Sequence, residues 1–538
     1  MILCWHRTDL RVKDNPALDR AAELARQQET IVQPVFVFDP QFYGEGSLAC
    51  DDRIEFMHEC LTSLREQYRE RGSKLALLHG EPVERLAELL EVWEEDALIC
   101  YTRHPTARYG ARRDEKFEAQ LRAYASEGAQ REVNVEAAPE NAIVFDARER
   151  GIDSREGWAE RCEAYLTGGT HPPPDSKVLV SETDALNSDV TIDEIETQYE
   201  IESTKQSVPR GGHKAARRRL DWFTRAKIMD QYPSGISPPA KAEQRTSRLS
   251  PYLRFGVLSA RQVYQAGVEC AGAERARDLF ESRLFWNRHF RQKLADNPRL
   301  TEEAVNPALQ GLFASDEERD PELINAWKEG RTGFPMVDAS MRALIETGWL
   351  NFRMRAMVAS FFGYILKQWW KIGADFMYYH LIDADPAINY AQWQMQCGLV
   401  GCHPNRIYNP RKQARENDPD GKFICEYVPE LHDLPTEFLP RPERTPIHVQ
   451  RECGIAIGDD PEANYPYPVV DFEREATAAR EQFGRLADEA RAALDEPEVR
   501  RRASLSRGRR QQIGEPDTGK GRKELSDEKQ RQGRLAEF

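Results

Sequence analysis

Apolar residues along this chain follow two different rhythms. Up to about residue 140, short runs rich in β-branched and aromatic residues alternate with amphipathic stretches of helical period. Met1–Trp5, Ile31–Phe38, Leu75–His79, Ala97–Tyr101 and Val133–Val135 read as strands. Asn15–Gln28, Asp51–Arg71, Glu84–Glu91 and Arg112–Ser126 read as the helices between them. Such alternation predicts a parallel sheet covered on both faces, a doubly wound domain over residues 1–140. No Gly-rich phosphate fingerprint accompanies it.

Residues 141–212 read as an interdomain linker, polar from Ser154 to Gly212, with prolines at Pro172–Pro174 and an acidic stretch from Ser188 to Ser203. Strand signals then become rare, and helical patterns carry the apolar residues over His213–Tyr232, Ala260–Ala271, Glu274–Asn297, Pro335–Thr347, Phe352–Lys367 and Phe376–His380. An all-helical second domain is expected over 213–475. Residues 476–538 read as a charged tail, expected to be disordered from about Arg500, where aromatics nearly vanish. The arginine run Arg500–Arg510 suits polyanions, although a solvated tail is the default for such a run. No internal repeat is visible.

With 538 residues the chain is too long for one core, which agrees with two domains. A net charge of −15 argues against a generic nucleic-acid binder. The basic residues are 17 Lys against 58 Arg, and this acidic, Lys-poor balance fits a halophilic protein. Activity that needs molar salt is then expected, and full stability in dilute buffer would remove the idea. Ten cysteines occur with no C-x-x-C pair, so buried free thiols are expected and no metal site. No apolar run approaches membrane-spanning length and no signal peptide is evident, so no membrane association is expected. A cytoplasmic monomer is expected.

The densest chemistry lies in LIDADPAINYAQWQMQ, Leu381–Gln396. On a helix Asp385, Asn389 and Trp393 share one face, with Asp383 close by. Carboxylates, an amide and an indole together suit a large planar, hydrogen-bonding, redox-active ligand better than a metal. Taken alone, a helix that merely buries one tryptophan is the better explanation of them.

Flanking segments change that balance. WHRTDLRVKDNPAL (Trp5–Leu18), TSRLSPYLRFGVLS (Thr246–Ser259), TGFPMVDASMRAL (Thr332–Leu344), GWLNFRMRAMVASFF (Gly348–Phe362), RIYNP (Arg406–Pro410) and YPYPVVD (Tyr465–Asp471) occur in this order. Together they resemble the DNA photolyase/cryptochrome family over roughly residues 1–475. The resemblance implies an antenna domain followed by a helical FAD-binding domain. Thr246, Ser247, Arg248, Leu249 and Ser250 then form the pyrophosphate loop, for which hydroxyls, backbone amides and a guanidinium are the right chemistry. A helix cap at Thr246 or Ser247 is the plain alternative. Tyr232 resembles the aromatic that lies along the dinucleotide. Arg355 and Asp383 resemble the ion pair beside the flavin ring, with Ala384 and Asp385 next to it. Asn389 matches the position facing flavin N5, where an amide is the repair-type residue. Trp393 and Trp370 match the first two members of the electron-carrying tryptophan chain. The third aligns with Glu317, which cannot serve, leaving Trp369, Tyr378 or Tyr379 as exits.

Trp286 resembles the tryptophan that stacks on a flipped-out pyrimidine dimer. Its surroundings depart from the repair enzymes. Arg283 stands in place of a Glu, Phe352 of an Asn just before Arg353, Ala356 of a Met and Met395 of a second Trp. The residues proposed to keep a DNA-binding rim positive are Arg288, Arg291, Lys293, Arg353, Arg411, Lys412 and Arg415. Tyr109 and Gly110 replace the Asn-Glu pair that binds a folate antenna, so folate is disfavoured and a deazaflavin antenna stays open. Two activities follow as expectations. One is an FAD-dependent photolyase acting on DNA with pyrimidine-dimer damage. The other is a cryptochrome-type receptor with a signalling partner.

Overall fold

The computed structural model describes residues 1–503 except 45, 93–96, 127–132, 141, 146–154, 271, 403–405 and 461–462. The arginine run beyond 503 and the rest of the tail lie outside the described residues.

Five strands, β1 (Ile2–His6), β2 (Val32–Phe38), β3 (Ala76–His79), β4 (Ala97–Arg103) and β5 (Val133–Pro139), form one sheet in the order β3-β2-β1-β4-β5. Every pair is parallel, with Cys4 opposite both Pro34 and Cys100. Parallel neighbours require crossovers, supplied by α1 (Pro16–Gln27), α2 (Asp51–Arg69), α3 (Pro82–Val92) and α4 (Arg108–Ser126). Helix α1 starts where the sequence provides both signals, Asn15 accepting from Leu18 N and Pro16 in the first turn. The strand order reverses between β1 and β4, so the carboxyl ends of those strands form the crevice where such sheets bind ligands. Here that crevice is covered by the second domain.

The helical domain is built around α5 (Ser250–Arg254), α6 (Glu274–Asp296), α7 (Pro335–Thr347), α8 (Phe352–Ser360), α9 (Trp370–His380) and α10 (Pro386–Gln396). The stretch read as one helix over 352–367 is α8 followed by a wider π-type turn at Phe361–Ile365. Helix α9 begins at Trp370, six residues before the sequence pattern placed it. One apolar core continues from the sheet into this domain, joining Ile2, Phe56 and Leu61 to Phe223, Phe280 and Leu284. A second fills the helical domain around Trp327, Phe362 and Trp393.

Two segments differ from their sequence reading. Residues 155–212 hold helices Arg155–Thr167 and Ile192–Gln198 and are docked along their length. Val180 N donates to Val32 O at 2.9 Å, and Asp52 Oδ1 accepts from Lys205 N at 2.8 Å. A polar composition was compatible with docking because its few apolar side chains, among them Trp158, Leu166, Leu179 and Ile195, are buried in the core while backbone groups bond the α/β domain. Beyond residue 475, α11 (Phe472–Arg485), α12 (Ala487–Asp495) and α13 (Pro497–Ala503) are ordered helices. Their Phe483, Leu494, Val499 and Ala503 are buried against the helical domain, so the charged tail starts after these helices, not at 476.

Candidate functional site

A cleft enclosing about 310 Å³ opens into the helical domain between α5, α6, α8 and α10. That lies within the roughly 300–1,000 Å³ of small-molecule sites. Its walls bring together Tyr232, the loop Thr246–Ser250, Arg283, Trp286, Phe352, Arg355, Asp383, Ala384, Asp385, Asn389, Trp393 and Met395. Arg353 and Trp370 are not among the lining residues.

The loop has its own logic. Thr246 closes the helix Pro239–Arg245 and donates its hydroxyl to Ala242 O at 2.7 Å. Ser247 Oγ accepts from Leu249 N at 3.4 Å, and Leu249, not Thr246 or Ser247, occupies the cap position of α5. Arg248 adopts φ +48°, which turns its side chain over the Trp349 ring at 4.3 Å and beside Glu243 at 2.7 Å. Burial pulls this guanidinium below its usual range, against the charges of Glu243 and Asp383. The loop therefore carries a poorly solvated cation facing the cleft.

Arg355 Nη2 grips both Asp383 oxygens at 2.9–3.0 Å and Arg355 Nε donates to Leu350 O at 2.8 Å. Asp385 lines the cleft with Asn389 and Trp393, as the helical spacing predicted, but from the position that precedes the helix. It is the N-cap of α10, accepting from Ala387 N at 2.9 Å, because Pro386 can only begin the helix. Its other oxygen accepts from Arg291 at 2.7 Å. Burial alone would raise the Asp385 carboxyl, but Arg291 and Arg254 hold it below the usual carboxylate range.

Arg291 continues into the α/β domain, where it bonds both Glu140 oxygens at 2.8 Å. Arg288 pairs with the same carboxylate, and His104 Nδ1 lies 3.1 Å from it. Burial opposes the Glu140 charge, yet Arg291 and Arg288 keep its carboxyl far below normal. The crevice at the sheet's reversal point is thus filled by an ion network ending on Asp385.

Asn389 Nδ2 donates to Ala374 O at 2.9 Å. A carbonyl only accepts, so this contact fixes the amide orientation and leaves Oδ1 and the second Nδ2 hydrogen for a ligand. Trp393 packs edge-on against Trp327 and Phe362, each at 5.9 Å. A Cβ at Gly373 would lie 2.3 Å from the tip of the Trp393 indole, so α9 must carry glycine there. Trp370, one turn earlier on α9, meets the Tyr390 ring edge at 6.2 Å. Glu317 is exposed on the short turn Asp316–Glu318, and Trp369 lies under the Arg319 guanidinium at 5.1 Å. Tyr379 is exposed.

At the outer end, Trp286 stacks on Phe290 at 5.6 Å and Arg283 lies over Phe352 at 5.8 Å. Arg283 also hydrogen-bonds Tyr232. Arg353 points away, with Nη1 3.5 Å from the Tyr408 hydroxyl. The expected basic rim is corrected on four counts. Arg288, Arg291, Lys293 and Arg411 are buried, and Arg411 is paired with Glu443 and Glu473. Their helical spacing looked solvent-facing because the acidic partners come from distant segments. Tyr109 donates to Asp39 at 2.6 Å, on the α/β domain.

The cleft also holds buried polar atoms that no group among the described residues meets, namely Trp393 Nε1, Gln396 Oε1 and Asn351 Oδ1. One donor, two acceptors, apolar walls and the Arg248 and Arg355 charges suit a planar ligand with a hydrogen-bonding edge and an anionic arm. These residues fit FAD. Sequence reasoning missed Asn287 and Gln396, although Arg283, Asn287 and Arg291 recur at intervals of four on α6. Glu140 carried no local signal at all. Among the described residues no group of three or more His, Cys, Asp or Glu is placed to hold a metal ion, and no helix is long and apolar enough to cross a membrane.

Residues 2–145 match the family model for DNA photolyase, and 280–485 match that for the FAD binding domain of DNA photolyase. The deoxyribodipyrimidine photo-lyase of Streptomyces griseus is 30% identical over 479 residues, covering 89% of this chain and 97% of that protein. Cryptochrome-2 of Arabidopsis thaliana is 26% identical over 513 residues, covering 91% and 79% respectively. The crystal structure of a cryptochrome from Synechocystis superposes with TM-score 0.76 at 24% identity, covering 89% of this chain and 98% of that one.

Proposed function

Because the chain belongs to the DNA photolyase/cryptochrome family, we propose that it is an FAD-dependent photolyase that binds ultraviolet-damaged DNA and splits pyrimidine dimers by blue-light-driven electron transfer. Bound in its reduced state, FAD supplies the electron that light promotes. The protein supplies the setting. Arg248 and the Thr246–Ser250 loop would hold the pyrophosphate, and Tyr232 would lie along the dinucleotide. The Arg355–Asp383 pair would place fixed charge beside the isoalloxazine.

Asn389 is the observation that carries the repair reading. With one Nδ2 hydrogen committed to Ala374 O, the orientation of the amide is set and its carbonyl oxygen is available to a ligand. That oxygen would accept from the N5–H of a reduced flavin, and a carboxamide has no acidic proton to give an oxidised one. Trp286, on the outer wall, offers its ring to an unstacked base pair. Trp393 and Trp370 would be the internal electron donors that restore the reduced cofactor.

A cryptochrome-type photoreceptor is the second reading, and Arg283 favours it. A guanidinium between Tyr232 and Phe352 occupies the part of the cleft where a neutral dimer would sit. A deazaflavin antenna on the α/β domain belongs to either reading. The discriminating experiment exposes the reduced protein to oligonucleotides carrying a cyclobutane dimer or a six-four product under blue light. Light-dependent loss of either lesion is expected. Loss of neither, with the flavin reduced, would reject repair in favour of the receptor.

A further inference from the structure

The aromatic residues beside the cleft form two branches with different ends. Trp393 leads inward to Trp327 at 5.9 Å, which is fully buried and donates Nε1 to Val358 O at 3.3 Å. A backbone carbonyl cannot take a proton, so a positive hole on Trp327 stays trapped and recombines. The other branch runs from Trp370 to Tyr390 at 6.2 Å, then to Tyr378, stacked on Tyr390 at 5.6 Å. Tyr390 and Trp393 stand three residues apart on α10 and are near neighbours.

Tyr390 ends in a proton acceptor. Its ring is only 3% exposed, while its hydroxyl donates to Asp375 Oδ1 at 2.6 Å. The Asp375 side chain is 35% exposed, so it joins a buried phenol to solvent. Lys371 completes the arrangement. Its ammonium pairs with Asp375 and lies over the Tyr390 ring at 4.8 Å. A cation above the ring disfavours a positively charged phenol radical but not a neutral phenoxyl. Electron loss from Tyr390 is therefore tied to proton loss. Burial and Asp375 push the phenol far above its usual range, so it keeps its proton until it is oxidised.

We propose that Tyr390 is the terminal electron donor of the flavin site, with Asp375 as its proton acceptor. The proposal rests on the flavin reading above. The oxidant is the photoexcited oxidised flavin, which takes one electron through Trp393 and Trp370. The Trp370 radical cation returns to neutral indole with one electron from Tyr390. The phenolic proton moves along its existing bond to the Asp375 carboxylate, leaving a neutral phenoxyl. One O–H bond breaks, one forms, and the charge is separated from the cleft.

The test is freeze-quench electron paramagnetic resonance of the FAD-loaded, oxidised protein after blue light, with ring-deuterated tyrosine to mark phenoxyl. A phenoxyl signal is expected in the wild type, lost in Tyr390→Phe and retained in Tyr378→Phe. Asp375→Asn, which keeps the phenol but removes its base, should lower the phenoxyl yield and abolish the solvent deuterium effect on its formation. FAD content and melting temperature show that the variants are folded. Flavin photoreduction with only indole radicals, or a phenoxyl that persists in Tyr390→Phe, overturns the assignment and leaves the flavin reading standing. No photoreduction in the FAD-loaded protein overturns both.

Discussion

Replacing Glu140 tests whether the α/β domain helps to build the cleft. Its carboxylate is buried and meets Arg288, Arg291 and His104, while Arg291 also carries Asp385. Glu140→Ala leaves the Arg288 guanidinium uncompensated, and Arg291 with one partner. Breaking a buried pair by removing one member costs about 3–5 kcal/mol. At roughly 2–4 °C per kcal/mol for domains of this size, the melting temperature should fall by about 6–20 °C. Glu140→Gln keeps the shape and should fall near the lower end. Because the native carboxyl is held far below normal, its contribution is complete above about pH 4.3 and fades only as pH drops through the lower native value. The wild-type advantage over Glu140→Gln should thus be flat at neutral pH and shrink in acid. The assay is thermal unfolding by circular dichroism across pH, followed in parallel by flavin absorbance. Glu140→Leu combined with Arg288→Met should recover much of the loss, since apolar replacement of a whole buried pair is often neutral. A Glu140→Ala protein melting within about 1 °C of wild type would refute the reasoning, because so small a shift corresponds to under 1 kcal/mol.

Three further outcomes follow from the same geometry. Trp370→Phe should slow flavin photoreduction strongly, read by absorbance under blue light, and unchanged kinetics would remove Trp370 from the route. His380 is pushed down to about 4 by burial and the nearby Lys205, whose Nζ lies 3.3 Å from Nδ1. The fold therefore favours neutral imidazole, its stabilisation being complete above about pH 6.5 and lost as pH falls towards that lower value; His380→Gln should remove this acid-side loss from the melting curve. Gly373→Ala would drive a methyl group into the Trp393 indole, costing about 1–3 kcal/mol and lowering FAD content. Full retention of flavin in that variant would show that Trp393 can shift without loss.

Local pattern was enough for the strands and helices of the α/β domain. Asn15 before Pro16 set the start of α1, and the alternation of β-rich runs with amphipathic helices foretold the parallel sheet. The C-terminal helices were misread because Phe483, Leu494 and Val499 are few among many charges. Their burial depends on a groove made by distant residues. In the cleft, most of the residues picked from their motifs do converge. The exceptions, Arg353 and Trp370, lie beside motif residues but on other faces of their helices.

By itself the sequence determined which chemistry is present, because hydroxyls, guanidinium groups, an amide and indoles come as short contiguous motifs. It also determined where some helices begin, as Asn15 and Pro16 do for α1, since caps and prolines act within one turn. Tertiary structure alone decided which charges face solvent and which are paired. Arg288, Arg291 and Arg411 read as a basic rim until Glu140, Asp385, Glu443 and Glu473 close over them from remote positions. It likewise decided that Tyr390 meets Asp375, placed 15 residues away on another helix. Pairing a charge or a proton donor depends on distances of a few ångströms, and only packing brings distant segments that close.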